Sequence, residues 1–449
     1  MITDERGLAL TTESAEAARH FDTAVTHYVK YKWDTAGWTD KMLAADPGFL
    51  MGHCLKGYLT MTAFDQRRLG AVEKCLAAAR RAEEEATSRE RLHVTALAAW
   101  HRGALEEASA LWRAILEDHP KDMLAARLAH FNYFWSGEAG AMREVVAEPL
   151  KAWSPATPGY GSMLAMLAFG EEECGAYRAA EAAALRSLEE DRAELWATHA
   201  RAHVMEMEGR HREGIQWLAG EERFWEGGNH MLHHLWWHRA LLHLELGETD
   251  AVLELYDRKF RNLDSPIVKA IPDLYIDMQN AASMLWRLEQ AGVEVGARWG
   301  ELAQKAAARV GDVQNLFTVP HLVMALAAAG RDEAAERYIA ALKAVGEGGH
   351  LSVAATLIEV EIPLAGAVLA HRKGDYARAV ALMEPIRHEI RRIGGSHAQR
   401  DLFTQMLLDA ALRSGRMELA RAVLAEEAKA RPIPLAKRRR YAEAARLLQ

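Results

Sequence analysis

The sequence predicts an all-α chain built as a tetratricopeptide-type helical-hairpin solenoid, a superhelix of about eleven units. Three observations predict it. A turn phrase returns every 34 to 45 residues, apolar residues recur at helical spacing on both sides of each turn, and no alternating β-pattern of useful length occurs.

The turn phrase is clearest at Gly103-Ala-Leu105-Glu-Glu-Ala108, where a small residue closes one helix and the next begins. It returns at Gly175, Gly374 and Gly415, each followed two positions later by Tyr177, Tyr376 or Met417 and then by alanine. Weaker copies begin at Tyr31, Asp65, Gly140, Gly209, Gly247, Gly292 and Gly330. Stretches such as Met163–Glu172 and Ala179–Leu188 flank these turns, with apolar residues three and four positions apart. A hairpin of this kind cannot bury its apolar face alone, so neighbours must stack. First helices are expected to line a concave groove and second helices the convex back. The chain reads as one solenoid over 1–449, with an irregular insertion at 260–277, which contains Pro266 and Pro272. A loosening is expected at 346–349, before the last two units. The basic run Ala436-Lys-Arg-Arg-Arg440 reads as the solvated face of a capping helix.

Composition narrows the class. Half of the 449 residues are apolar and 26% are charged, as in a folded chain rather than a disordered one. A net charge of −8 speaks against nucleic acid or an anionic membrane as partner. The most apolar stretch, Leu351–Ala370, is broken by Glu359, Glu361 and Pro363, so no membrane span is expected. The start carries charges where an export signal needs an apolar run, and Cys54, Cys75 and Cys174 form no CxxC. A cytoplasmic location with reduced thiols is the expectation.

Certain phrases are more particular than a generic repeat: His234-Leu-Trp-Trp-His238-Arg-Ala-Leu, Ser283-Met-Leu-Trp-Arg-Leu and Gly394-Gly-Ser396-His-Ala-Gln399-Arg400-Asp401. Through these the chain resembles the tetratricopeptide repeat protein 38 family, over Met163–Trp299, over Pro385–Phe403 and nearly end to end. The resemblance implies a helical-repeat fold of this length. It brings no mechanism and no residue roles, and His233 and Arg239 depart from the family's form.

Histidine is the informative residue. Eight of twenty lie between Trp196 and His243, where about two would fall by chance, together with five of the thirteen tryptophans. His199 and His203 are four apart, with Glu206 three further on, so the three share a helix face. His234 and His238 repeat the spacing on the next first helix. The two pairs are positioned to confront each other. Four histidines of this kind are candidate ligands for Zn²⁺, Fe²⁺ or Mn²⁺, and together with Glu206 they are equally candidate acid/base residues. Mutual hydrogen bonding among buried histidines and indoles is the competing structural explanation.

Other first helices supply candidate binding residues: His130, Glu173, Trp237 and His321. Arg400, beside Asp401 and after Gly394-Gly395-Ser396, suits an anion anchor, with helix-start N–H groups as further donors. A pair of Arg400 and Asp401 that holds two helices in register suits the same residues. Cys54 beside His53 is a weak nucleophile candidate, since neighbouring residues on a helix diverge. No phosphate loop, dinucleotide fingerprint, GxSxG or EF-hand loop occurs, which leaves a divalent metal as the open cofactor question.

Two functions follow as expectations. One is a binding protein whose His/Trp-rich central groove holds a small molecule or peptide. The other is an enzyme of hydrolase, lyase or isomerase type, which uses the groove histidines, with or without a metal, on a small anionic substrate.

Overall fold

A computed structural model describes residues 2–349 and 351–449. Among the described residues, eleven antiparallel helical hairpins follow one another, from Ala15–Val29 with Thr35–Ala45 to His397–Arg413 with Met417–Ala430. The helix Arg439–Leu447 covers the last. The chain is an all-α helical-hairpin solenoid, apart from one small antiparallel ribbon that pairs Ile2–Thr3 with Ala9–Leu10.

The turns explain the repeat. Nine hairpins turn through a glycine at positive φ, from Gly103 to Gly415, a conformation that costs glycine little. In the fourth hairpin that glycine is Gly137, not Gly140, which lies inside the helix Ala139–Leu150. The first two hairpins lack the glycine. Tyr31 and Phe64 occupy their turns at φ 57° and 47°, a region that side chains rarely adopt.

First helices pack side by side along the inner wall, as Tyr160–Glu173, Leu195–Met207, Met231–Glu245, Tyr275–Gln290 and Val319–Ala328 do. The wall does not border an open groove. The superhelix completes a lap, and turns of the first seven hairpins rest on loops about one lap later. Lys32 Nζ donates to Glu226 O, Arg309 reaches Phe64 O, Ser352 bonds Gly103 O, and Arg439 N donates to Glu245, across 194 to 249 residues. The approach at the fourth turn is close enough that any side chain on Gly137 would strike the Arg391 carbonyl. Trp135 and Trp236 pack against both halves of the apolar core.

Three local features differ from the sequence reading. The irregular segment ends before Tyr275, so Asp277 lies in the first turn of the helix Tyr275–Gln290. The helix Asp332–Glu347 takes in 346 and 347. The basic run near 438 is not a solvated face, because Arg438 is buried and pairs with Asp401 and Glu427. The helix Ala354–Arg372 has the length and hydropathy of a membrane span, and 56% of its most apolar window is buried inside the fold. Its inner half, Ile362–Arg372, packs between Val319–Ala328 and Tyr376–Met383.

Candidate functional site

The helices Leu195–Met207 and Met231–Glu245 lie next to each other, and each presents two histidines one turn apart on the contacting face. All four imidazoles are buried. Nε2 of His203 stands 3.0 Å from Nε2 of His199, and Nε2 of His238 stands 3.2 Å from Nε2 of His234. Across the helix interface the rings of His203 and His238 are 4.3 Å apart, and those of His199 and His234 are 4.9 Å apart. Trp196 stacks on His199 and Trp237 on His234, so aromatic planes fix two of the rings.

Behind the rings stand acceptors. His238 Nδ1 faces a Glu206 oxygen at 3.1 Å, His234 Nδ1 faces the Asn280 amide oxygen at 2.9 Å, and His203 Nδ1 lies 3.5 Å from Glu172. Glu206 therefore does not join its own helix's histidines as a ligand but supports His238 on the neighbouring helix. Burial holds His238 near a pKa of about 3. Burial and the neighbouring imidazoles hold His199 and His203 well below the usual range. His234 is low because of burial and His238. Imidazoles this far from neutrality are poor proton shuttles at pH 7, which weighs against the catalytic role expected for them. Burial pushes the Glu206 carboxyl up to about 7, and burial with Glu173 and Glu206 nearby pushes Glu172 well above its usual value.

One side of this cluster opens on a cavity of about 270 Å³, which His199 and His234 share with His130, Arg127, Trp196 and Tyr275. Tyr31 and Trp33 lie at its rim, where Trp33 is 42% exposed. The segment before Tyr275 contributes Ile271 and Leu274 to the wall. Asp122 caps the helix Met123–Trp135 by accepting from Ala125 N, and that helix carries Arg127 and His130 inward. Arg127 is 1% exposed, and its guanidinium lies within 6 Å of the rings of Tyr28, Tyr31, Phe131 and Trp196. It donates to the Tyr31 hydroxyl, while its Nε and Nη1 have no partner among the described residues. Tyr31 is the residue that replaces the turn glycine, and backbone strain of this kind clusters at binding sites.

A second histidine pair stands nearby, and its His230 reaches the cavity. His230 Nδ1 lies 2.7 Å from one Asp277 oxygen and His233 Nδ1 lies 3.0 Å from the other. Burial pushes Asp277 up, but His230 and His233 more than offset it and hold the carboxyl below its ordinary range. Nε2 of His230 is buried without a partner beside the cavity.

The remaining expected residues go elsewhere. His130 borders the cavity, with Nε2 on the Met166 carbonyl and a pKa that burial and Arg127 bring to about 3. Trp237 is a wall of the histidine cluster. His321 lies apart, bonded to the Phe317 carbonyl and packed on Phe403. Arg400 is not free to anchor an anion, because it donates to the Gly395 carbonyl and to Glu173 at 3.3 Å. The anion at the start of His397–Arg413 is Glu173 itself, which accepts from His397 N at 2.9 Å. Asp401 does not pair with Arg400. It accepts from Arg431, Arg438, Tyr441 and Gln405. Cys54 is fully buried, and the adjacent His53 turns away to the Pro47 carbonyl, so the two form no nucleophile pair.

No protein-family model matches the chain. Among solved structures it is similar to that of Naa15/Naa10 bound to HypK-THB, at 15% identity over 91% of this chain and 68% of that one, with a TM-score of 0.26. It is also similar to the P58(IPK) TPR domain, at 13% identity over 97% of this chain and 98% of that one, with a TM-score of 0.23. At these scores function has to be argued from the site.

Proposed function

We propose that the protein binds a small organic anion with an apolar body in the cavity beside the histidine cluster. The Arg127 guanidinium carries this reading. A buried cation whose Nε and Nη1 have no partner among the described residues is costly, and a carboxylate or phosphate supplies the opposite charge and an acceptor for the free Nη1 end. The aromatic walls take the rest of the ligand, as in most small-molecule pockets. A cavity of about 270 Å³ suits a single small molecule rather than an extended peptide. We also place the chain in the tetratricopeptide repeat protein 38 family, on the phrases around His234, Ser283 and Gly394.

Titration with benzoate and indole-3-carboxylate, followed by tryptophan fluorescence, tests the reading because Trp196 stands beside Arg127. Saturable quenching that disappears in Arg127→Met supports it. Equal quenching in both proteins, or none in either, sinks it.

His230 favours a second reading, that of an acid–base enzyme acting on the bound anion. Asp277 orients the ring through Nδ1 and leaves Nε2 facing the cavity, the arrangement a general base needs. Deuterium exchange at the methylene of phenylpyruvate provides the check. Acceleration by the wild type but not by His230→Gln is expected, and identical rates count against catalysis.

A further inference from the structure

We infer that His199, His203, His234 and His238 form a site for one divalent first-row transition-metal ion, of the Zn²⁺, Co²⁺ and Fe²⁺ class. The inference does not depend on Arg127 or on the anion, since different atoms carry it.

The first support is convergence. One ring nitrogen from each of the four lies within 4.8 Å of those of the other three. Around an ion held at about 2.1 Å, four tetrahedral nitrogens stand about 3.4 Å apart. The two Nε2 pairs, at 3.0 and 3.2 Å, are already close to that spacing.

The second support is the polar shell behind the rings. His238 Nδ1 faces Glu206 at 3.1 Å and His234 Nδ1 faces the Asn280 side-chain amide at 2.9 Å, while the Glu172 carboxyl lies 3.5 Å from His203 Nδ1. Metal-binding imidazoles usually have such a partner on the outward nitrogen, and here the inner Nε2 atoms of both pairs are left turned toward one another.

Other clusters fit less well. In the His230–His233–Asp277 group both inward nitrogens already bond the carboxylate. In the Glu172–Glu173–His203 group, Glu173 serves His397 and Arg400. The ligand class follows from the donors: four neutral imidazoles suit borderline transition metals and not Mg²⁺ or Ca²⁺. Because His199 and His234 border the cavity, the ion lies at its inner end.

The test is metal content by mass spectrometry on untagged full-length protein, loaded with Zn²⁺ or Co²⁺ and then desalted. About one equivalent per chain is expected, with a ligand-field spectrum for Co²⁺ typical of nitrogen donors. A His203→Gln/His238→Gln double variant should lose at least a hundredfold in affinity, and Glu206→Gln about 10- to 100-fold. X-ray absorption on the zinc-loaded wild type covers the case in which the double variant does not fold, with four nitrogens at about 2.0–2.1 Å expected. Less than a tenth of an equivalent after loading, a folded double variant that keeps its metal, or a shell of sulfur or oxygen donors would each overturn the inference.

Discussion

Around Asp401, Arg431, Arg438 and Tyr441 all donate to one carboxylate oxygen at 2.9, 2.7 and 2.7 Å, while Gln405 takes the other oxygen. Arg127 lies deeper still in the same chain with no such carboxylate, held among aromatic rings and a tyrosine hydroxyl. The first region ties the terminal helix to the last hairpin and closes its charges within the fold. The second leaves charges open toward a cavity. Burial is common to both, so burial does not distinguish a site from a scaffold. Satisfaction of the buried groups does.

The largest effect is expected at the satisfied carboxylate. Asp401→Ala leaves the buried Arg438 and the largely buried Arg431 with Glu427 as their remaining carboxylate, and a loss of about 3 kcal/mol is expected in denaturant unfolding. Arg127→Met should behave in the opposite sense. With no ligand present, removal of an unpaired buried cation leaves stability unchanged or raises it by about 1–4 kcal/mol. A loss as large as that of Asp401→Ala would erase the distinction.

Acid separates the regions as well. His130 has a folded pKa of about 3, below that of the unfolded chain, so the folded state stays neutral while the unfolded state takes up a proton. Its contribution is complete above the unfolded value of about 6.5 and is lost as pH falls toward 3, by up to about 1.4 kcal/mol per pH unit. Asp401 is depressed instead: burial alone would raise it, but Arg431 and Arg438 outweigh that. Its contribution is complete above the unfolded carboxyl value and fades only below about pH 4. The stability difference between wild type and His130→Phe should therefore shrink from pH 6.5 to 4.5, while that between wild type and Asp401→Ala stays level. The smallest effect is at the helix start: Ser396→Ala breaks the capping box with Gln399 and should cost about 1 kcal/mol with no change in ligand binding.

The repeat was legible because a hairpin turn needs a positive φ, and glycine advertises it at nearly every unit. The register slipped where Gly140 stood near the true turn at Gly137 and, by one residue, where Asp65 follows the turn residue Phe64. The four histidines were legible because spacing by four on consecutive first helices survives translation into space. Arg127, His230 and Asp277 were not, since the first, fourth, seventh and eighth hairpins bring them together with Tyr31 only once the superhelix has completed its lap. Two local signals were present all the same. Arg127 is a lone charge in the apolar run Met123–Ala129, and Tyr31 stands where most other units have glycine. Arg400 misled because its anion comes from Glu173, 227 residues away in sequence.

What the cavity holds decides the function. Crystals grown with 4-bromobenzoate and measured at the bromine edge would locate the probe directly. One anomalous peak is expected between Trp196 and Tyr275, with the carboxylate on Nη1 of Arg127, and no such peak in Arg127→Met. An empty cavity, or a probe seated away from Arg127, would contradict the anion-binding reading.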